Sequence, residues 1–275
     1  MRIRIAFALL LLPALLSAQE RITVRGRIVD EKGTPVEYVQ IGVPKHQIGT
    51  VSTVDGRFEI SMPPDTLEFF HVSYQAAGYP VTGPVNDLVI VLHQNELPPS
   101  VSIGGNTKEK YLLRPGKNLG KIGCMVFSLQ EGYPTGREIG SVARAKEPFL
   151  VQDILFTVRD NHIPGCIASV NIYRIEEGNE SFVNVLHKPI YCDVAVSDQP
   201  REYDVQPDET LLLEPGRYFI AFQVVGWDEG VIQTTDMSMS FCIYLKNSYL
   251  RSAALGEMKH YPVNIGISVK GLEYQ

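Results

Sequence analysis

The chain has no cysteine before Cys124, a single tryptophan, and almost no helical periodicity. No Cys-x-x-Cys pair is present to seed a tetrahedral zinc set. A Gly-x-Ser-x-Gly elbow for a nucleophilic serine is missing too. So is a spaced Asp-x-Asp-x-Asp-Gly loop, although loop carboxylates and carbonyls leave a structural calcium open as an idea. No apolar run reaches the about 20 residues that a helix needs to span a bilayer. Positive charge is also short, with 25 Lys and Arg against 31 Asp and Glu, so the net charge of -6 repels phosphate polymers and argues against nucleic-acid binding.

What is present begins with Arg2 and Arg4, followed by an apolar run from Ile5 to Leu16 and small residues at Ser17 and Ala18. That pattern predicts a secretory signal peptide over residues 1–18 and hence export, to the periplasm or to an outer-membrane-associated position. A lipoprotein signal would place cysteine directly after the apolar run, so no amino-terminal lipid anchor is expected. Cleavage removes two arginines and no acids, taking the formal charge from -6 to -8. The mature length exceeds what one typical core serves and points to two domains.

Period-two alternation dominates the rest, which predicts an all-β protein. Ile22, Val24 and Ile28 share one strand face while Thr23, Arg25 and Arg27 take the other. Strands are expected at Val36–Val43, Gly49–Thr53, Arg57–Met62, Thr66–Tyr74 and Asp87–Leu92, with a short edge strand near Tyr79–Thr82. Asp55-Gly56 supplies a hairpin turn that tolerates positive φ.

Gly26-Arg27-Ile28-Val29-Asp30, Gly33-Thr34-Pro35-Val36, Gly49-Thr50, Asp55-Gly56-Arg57-Phe58, Val72-Ser73-Tyr74 and Gly78-Tyr79 together resemble the carboxypeptidase-regulatory-like domain. The resemblance implies a transthyretin-like, seven-stranded Greek-key sandwich over residues 19–97. Such modules accompany zinc carboxypeptidases and, in the Bacteroidetes, stand at the start of TonB-dependent receptors and of many exported proteins. The family name does not imply peptidase activity. Gln75-Ala76-Ala77 departs from the family pattern by separating two elements usually run together.

Proline, glycine and polar residues mark 98–117 as a linker. Beyond it, alternating runs at Ile122–Leu129, Ile139–Ala143, Phe149–Val158, Ile167–Ile175, Arg201–Val205, Tyr218–Val225, Met239–Leu245 and Val263–Val269 suit a larger jelly-roll-like β-sandwich over residues 118–275. Short patterns there, such as Gly216-Arg217-Tyr218-Phe219, resemble the second domain of exported Bacteroidetes proteins that pair a regulatory-like module with a jelly-roll-like one. All four cysteines, Cys124, Cys166, Cys192 and Cys242, fall in this half. They allow up to two disulfides in three connectivities, or buried apolar thiols.

His93-Gln94-Asn95-Glu96, with a distant His187 or His260, imitates the ligand set of a zinc carboxypeptidase. It follows the last sandwich strand, in the domain that accompanies catalysis, and no alternation of helices and strands comes after it. The acid pairs Glu176-Glu177, Asp208-Glu209 and Asp228-Glu229 lie beside glycine or proline and read as solvated turns. No catalytic, metal or cofactor-binding residue is assigned, and no cofactor is expected.

For binding, aromatic rings are the candidates, because they stack on sugars and fill partner pockets. Trp227 stands in Gly226-Trp227-Asp228-Glu229-Gly230; exposed, it would be a carbohydrate platform, and folded back it would be core. Tyr74 and Tyr79 are further candidate ligand-binding residues near the loop end of the first domain. The expected function is a non-enzymatic exported cell-envelope interaction module whose partner is an envelope protein or a glycan. Alternatives are a carbohydrate-binding accessory of an outer-membrane uptake system and a hydrolase with an unrecognised site.

Overall fold

The structure, a computed structural model, describes residues 21–96, 104–119, 123–129, 135–176, 178, 180–230 and 236–275. The expected signal peptide, residues 1–18, lies outside them. The architecture is all-β, several sheets stacked as sandwiches, and the sole helical element among the described residues is the 3-10 turn Pro44–His46.

Seven strands lie between Ile22 and Leu92: β1 (Ile22–Asp30), β2 (Gln40–Val43), β3 (Ile48–Val51), β4 (Arg57–Met62), β5 (Asp65–Phe70), β6 (Ala77–Val81) and β7 (Val85–Leu92). They form a three-stranded sheet in the order β4-β1-β7 and a four-stranded sheet in the order β3-β2-β5-β6. Alternation explains which faces meet. In β4 Phe58, Ile60 and Met62 are buried while Arg57, Glu59 and Ser61 are exposed. They close a core with Val24, Ile28, Ile41, Leu67 and Phe69. A tight turn forms at Asp55-Gly56, with Gly56 at φ 77 and its amide on Thr53 O at 3.0 Å, but the expected hairpin does not, because the strands it joins, β3 and β4, belong to different sheets.

The later strands are β8 (Thr107–Leu113), β9 (Lys117–Asn118), β10 (Cys124–Ser128), β11 (Glu138–Ala145), β12 (Phe149–Val158), β13 (Asp160–Asn161), β14 (Cys166–Ile175) and β15 (Phe182–Asn184). They continue with β16 (Ile190–Val194), β17 (Arg201–Val205), β18 (Leu211–Leu213), β19 (Gly216–Gly226) and β20 (Ser238–Leu245). The last are β21 (Ser248–Arg251), β22 (Met258–Tyr261), β23 (Asn264–Ile265) and β24 (Ile267–Tyr274). One sheet runs β15-β14-β19-β11-β21-β22, a second β17-β12-β24-β8, and a third β10-β20-β13. Their inner faces share a second core, in which Phe222 meets Phe156 at 5.0 Å, Phe241 at 4.8 Å and Phe127 at 5.7 Å in edge-to-face pairs. The central strand β19 is buried on both sides. Ile220, Phe222 and Val224 face that core, and Phe219 and Ala221 face a smaller cluster with Tyr173 and Tyr249. A strand covered on both faces reads as a near-continuous apolar run, as Tyr218–Val225 does apart from the buried Gln223.

One span departs from expectation. Residues 98–117 were expected to be a linker, but β8 occupies Thr107–Leu113 and pairs antiparallel with β24. It is an edge strand whose first five residues are exposed, and its charges pair across the ladder, Lys110 with Glu273 at 2.7 Å and Glu109 with Lys270 at 2.6 Å. Edge strands tolerate this charge, which erases the apolar alternation by which a strand is recognised.

The two cores meet at a junction with little room. A Cβ at Gly49 would lie 2.3 Å from the Ala254 carbonyl oxygen, one at Gly42 2.6 Å from the same atom, and one at Gly136 2.6 Å from the Ala254 Cβ. Ala254 is therefore held by glycines from both halves, and it forms a small cluster with Val51 and Val225. Gly49→Val is expected to cost about 1–3 kcal/mol through overpacking. Urea unfolding checks this against Gly83→Val, where nothing lies within 4 Å and little change is expected.

Candidate functional site

β5 ends at Phe70 because the next four residues form a turn, with the Tyr74 amide donating to the His71 carbonyl at 3.0 Å. This turn is fastened to the segment after β7. The Gln75 amide donates to His93 O at 2.8 Å, the Asn95 amide to Ser73 O at 2.9 Å, and the Asn95 side chain to Val72 O at 3.1 Å. Opposite, a loop of the second half presents His187 and Lys188. Both of their amides donate to one Glu209 carboxylate oxygen, at 2.8 and 3.1 Å. The Ser73 hydroxyl donates to His187 O at 3.0 Å and ties the two sides together. Between them opens a cleft of about 370 Å³ whose walls include Glu37, His71, Tyr74, Glu96, His187 and Lys188.

Aromatic rings line the floor of this junction. His71 and Tyr74 pack edge to face at 5.3 Å, Tyr38 and Tyr191 do so at 5.1 Å, and the Tyr191 hydroxyl lies 3.4 Å from His71 Nε2. The His71 Nδ1 accepts the Ser73 amide at 3.1 Å, which assigns the ring proton to Nε2. Burial pushes the His71 pKa down to about 4, so the ring is neutral at ordinary pH. Burial also raises the Glu37 carboxyl above its usual range. The Tyr74 phenol rises for the same reason, with Asp30 and Glu37 adding to it.

Of the candidates read from sequence, Tyr74 reaches the cleft, half-buried against the first core. Trp227 and Tyr79 are elsewhere. Trp227 is half-buried against the second core, the folded-back arrangement, beside Gly226, where a Cβ would lie 2.7 Å from the Tyr38 ring. Tyr79 lies on β6 opposite Leu67 and is 37% exposed. The His-x-x-Glu stretch is split. His93 Nδ1 faces Glu31 at 2.7 Å, both exposed, whereas Glu96 turns into the cleft and His260 pairs with Glu180 at 3.1 Å. Among the described residues no group of three or more His, Cys, Asp or Glu side chains could hold a metal ion. Glu177 lies outside the described residues.

No protein-family model matches the chain, and no curated protein matches it. Among solved structures it is similar to a chain of the infectious bursal disease virus Gt strain structure, with 12% identity and a TM-score of 0.31 over 95% of this chain and 57% of that one. It is also similar to a DUF3823 family protein from Bacteroides ovatus ATCC 8483, with 10% identity and a TM-score of 0.22 over 76% and 99% of the two chains. A Streptococcal ancillary pilin gives 11% identity and a TM-score of 0.22 over 82% and 59%. The chain thus spans little more than half of the viral chain, and likenesses this distant carry no argument about activity.

His71, Glu37, Tyr191 and Lys188 escaped the sequence reading, and Glu209, read there as part of a solvated turn, instead accepts the His187 and Lys188 amides. Their segments are far apart in the chain, and only the fold collects them. Chemically, the cleft offers carboxylates, an ammonium, an imidazole, amides and a phenol to a polar ligand. The Ser73 hydroxyl is committed to a backbone carbonyl, and both His71 nitrogens are engaged, so no serine here is paired with a base. No described helix is long and apolar enough to cross a membrane.

Proposed function

We propose that this chain is a non-enzymatic binding module, exported to the cell envelope, that engages an envelope protein or a glycan through the cleft at Tyr74. Residues 26–92 would serve as a carboxypeptidase-regulatory-like sandwich, and the later strands as a jelly-roll-like partner to it. The observation that carries the reading is the open polar cleft between two separately cored halves, with an aromatic ring on its wall and its serine and histidine tied down in backbone and ring contacts. A ring beside hydrogen-bonding groups is the usual means of holding a sugar face or an anchoring side chain.

Glycan-array screening together with affinity capture from envelope fractions tests this, each with wild type and Tyr74→Ala. Site-specific binding is expected to weaken at least about tenfold in the variant, roughly 1.4 kcal/mol. Retention of every interaction by Tyr74→Ala would remove the cleft from the account.

A hydrolase reading has one observation in its favour, that Glu37 and Glu96 line the same cleft while burial raises the Glu37 carboxyl. It requires turnover of glycosides that Glu96→Gln abolishes.

A further inference from the structure

The sequence leaves three ways to join four cysteines, and the strand registers choose among them. In the β10–β20 ladder Cys124 stands directly opposite Cys242. The Leu129 amide donates to Met237 O at 2.9 Å, one step beyond the Ser128–Ser238 pair. Hydrogen-bonded and non-hydrogen-bonded pairs alternate in an antiparallel ladder, so Cys124–Cys242 is a non-hydrogen-bonded pair. A second contact agrees: the His162 amide donates to Ser238 O at 2.8 Å, which turns Ser238, and by the period of two Ser240 and Cys242, away from β10 toward β13. Non-hydrogen-bonded partners have Cα atoms about 4.5 Å apart, within the roughly 4.4–6.8 Å that a disulfide spans. Both thiols also lie on the outer face, Cys124 exposed and Cys242 half-buried.

Cys166 and Cys192 differ. Cys166 opposes Val194 and Cys192 opposes Ala168, which makes the two cysteines diagonal neighbours. Diagonal separations are about 7–8 Å, at or past the limit of about 7 Å for bridging without backbone movement. Burial, with Cys192 adding to it, pushes the Cys166 thiol up to about 12, and burial takes Cys192 up to about 11, so neither forms a thiolate readily.

We propose that Cys124 and Cys242 are a built site for an intramolecular disulfide that staples the edge strand β10 to β20, while Cys166 and Cys192 remain thiols. Among the described residues β20 is the one strand partner of β10, which is otherwise held by the Arg137 guanidinium on Val126 O at 3.1 Å, the Leu129 amide on Met237 O and the Met125 and Phe127 side chains in the second core. The oxidant is a small disulfide such as oxidised glutathione. The thiolate of one cysteine attacks its S–S bond, forming a mixed disulfide and releasing one glutathione thiolate. The second cysteine's thiolate then displaces the other glutathione. Two protein thiols give up two protons and two electrons, and one small disulfide becomes two thiols.

The test uses the full chain, incubated with excess oxidised glutathione, then unfolded, alkylated and mapped by mass spectrometry without reduction. The expected result is one cross-linked pair of peptides carrying Cys124 and Cys242, lighter by two hydrogens, with Cys166 and Cys192 alkylated. Alkylation of Cys124 falls at least about tenfold relative to the reduced sample. Alkylation of all four cysteines, a bridge in any other connectivity, a stable glutathione adduct on Cys124, or disulfide-linked dimers would each overturn the proposal.

Discussion

Replacing Glu138 by alanine is expected to lower the unfolding free energy by about 3–5 kcal/mol, because it strands a charge in the interior. Glu138 is fully buried on β11. Its carboxylate accepts the Asn171 side chain at 2.7 Å and the Tyr173 hydroxyl at 2.8 Å, and it pairs with Arg251 at 3.1 Å. Arg251 is itself nearly buried, with its guanidinium 5.4 Å above the Tyr173 ring. Burial alone would push Arg251 down, and Glu138 and Tyr173 more than offset it. The network continues through Asn171 to Gln223 at 3.1 Å, and from Gln223 to Gln40 of the first half at 3.3 Å, so the same substitution loosens the junction. Urea unfolding of Glu138→Ala checks the loss. The double variant Glu138→Ala/Arg251→Met distinguishes a stranded charge from a lost packing contact, since removing both charges is expected to recover most of the stability. A loss below about 1 kcal/mol in the single variant would contradict the account, matching a surface pair rather than a buried one.

Acid is expected to weaken the fold through His71 by about 3 kcal/mol between pH 6.5 and pH 4. The folded pKa of about 4 lies below the ordinary 6.5, so the unfolded chain takes the proton first as pH falls. The contribution is complete above pH 6.5 and is lost progressively down to about pH 4. The physical cause is specific. A proton on Nδ1 would face the Ser73 amide that now donates to it, in a site closed by Tyr74 and Tyr191. Asp30, Asp55 and Asp65, each lowered by hydrogen bonds, lose stability in the same direction only below about pH 4. Glu37, raised by burial, opposes His71 modestly. Urea midpoints at pH 7 and pH 4.5 should therefore differ more for wild type than for His71→Gln. Equal slopes in the two proteins would remove His71 as the acid-sensitive group.

Much of the strand content was legible. Phe149–Val158 and Arg201–Val205 have the bounds that alternation implied, because each puts one face on a core and the other toward solvent. β8 was not legible, since charge on an edge strand replaces the apolar period. The strand read as far as Tyr74 stops at Phe70, because the turn from His71 to Tyr74 is fixed by contacts to Gln94 and Asn95, two strands later in the chain. Of the cleft walls, the sequence marked Tyr74 as a binding residue and Glu96 and His187 only as parts of an imitated zinc set. Glu37 and Lys188 have no local pattern that sets them apart from surface charges, and their convergence depends on how the two halves dock. The cysteine pairing was hidden for a related reason, as the register of β10 against β20 is a tertiary fact.

Amide hydrogen exchange with and without a ligand recovered from the glycan array or envelope capture tests the central claim most directly. The expected result is protection of at least about tenfold confined to 35–37, 71–75, 93–96 and 187–189, the segments that wall the cleft. Protection centred instead on Trp227 or Tyr79, with those four segments unchanged, would contradict it.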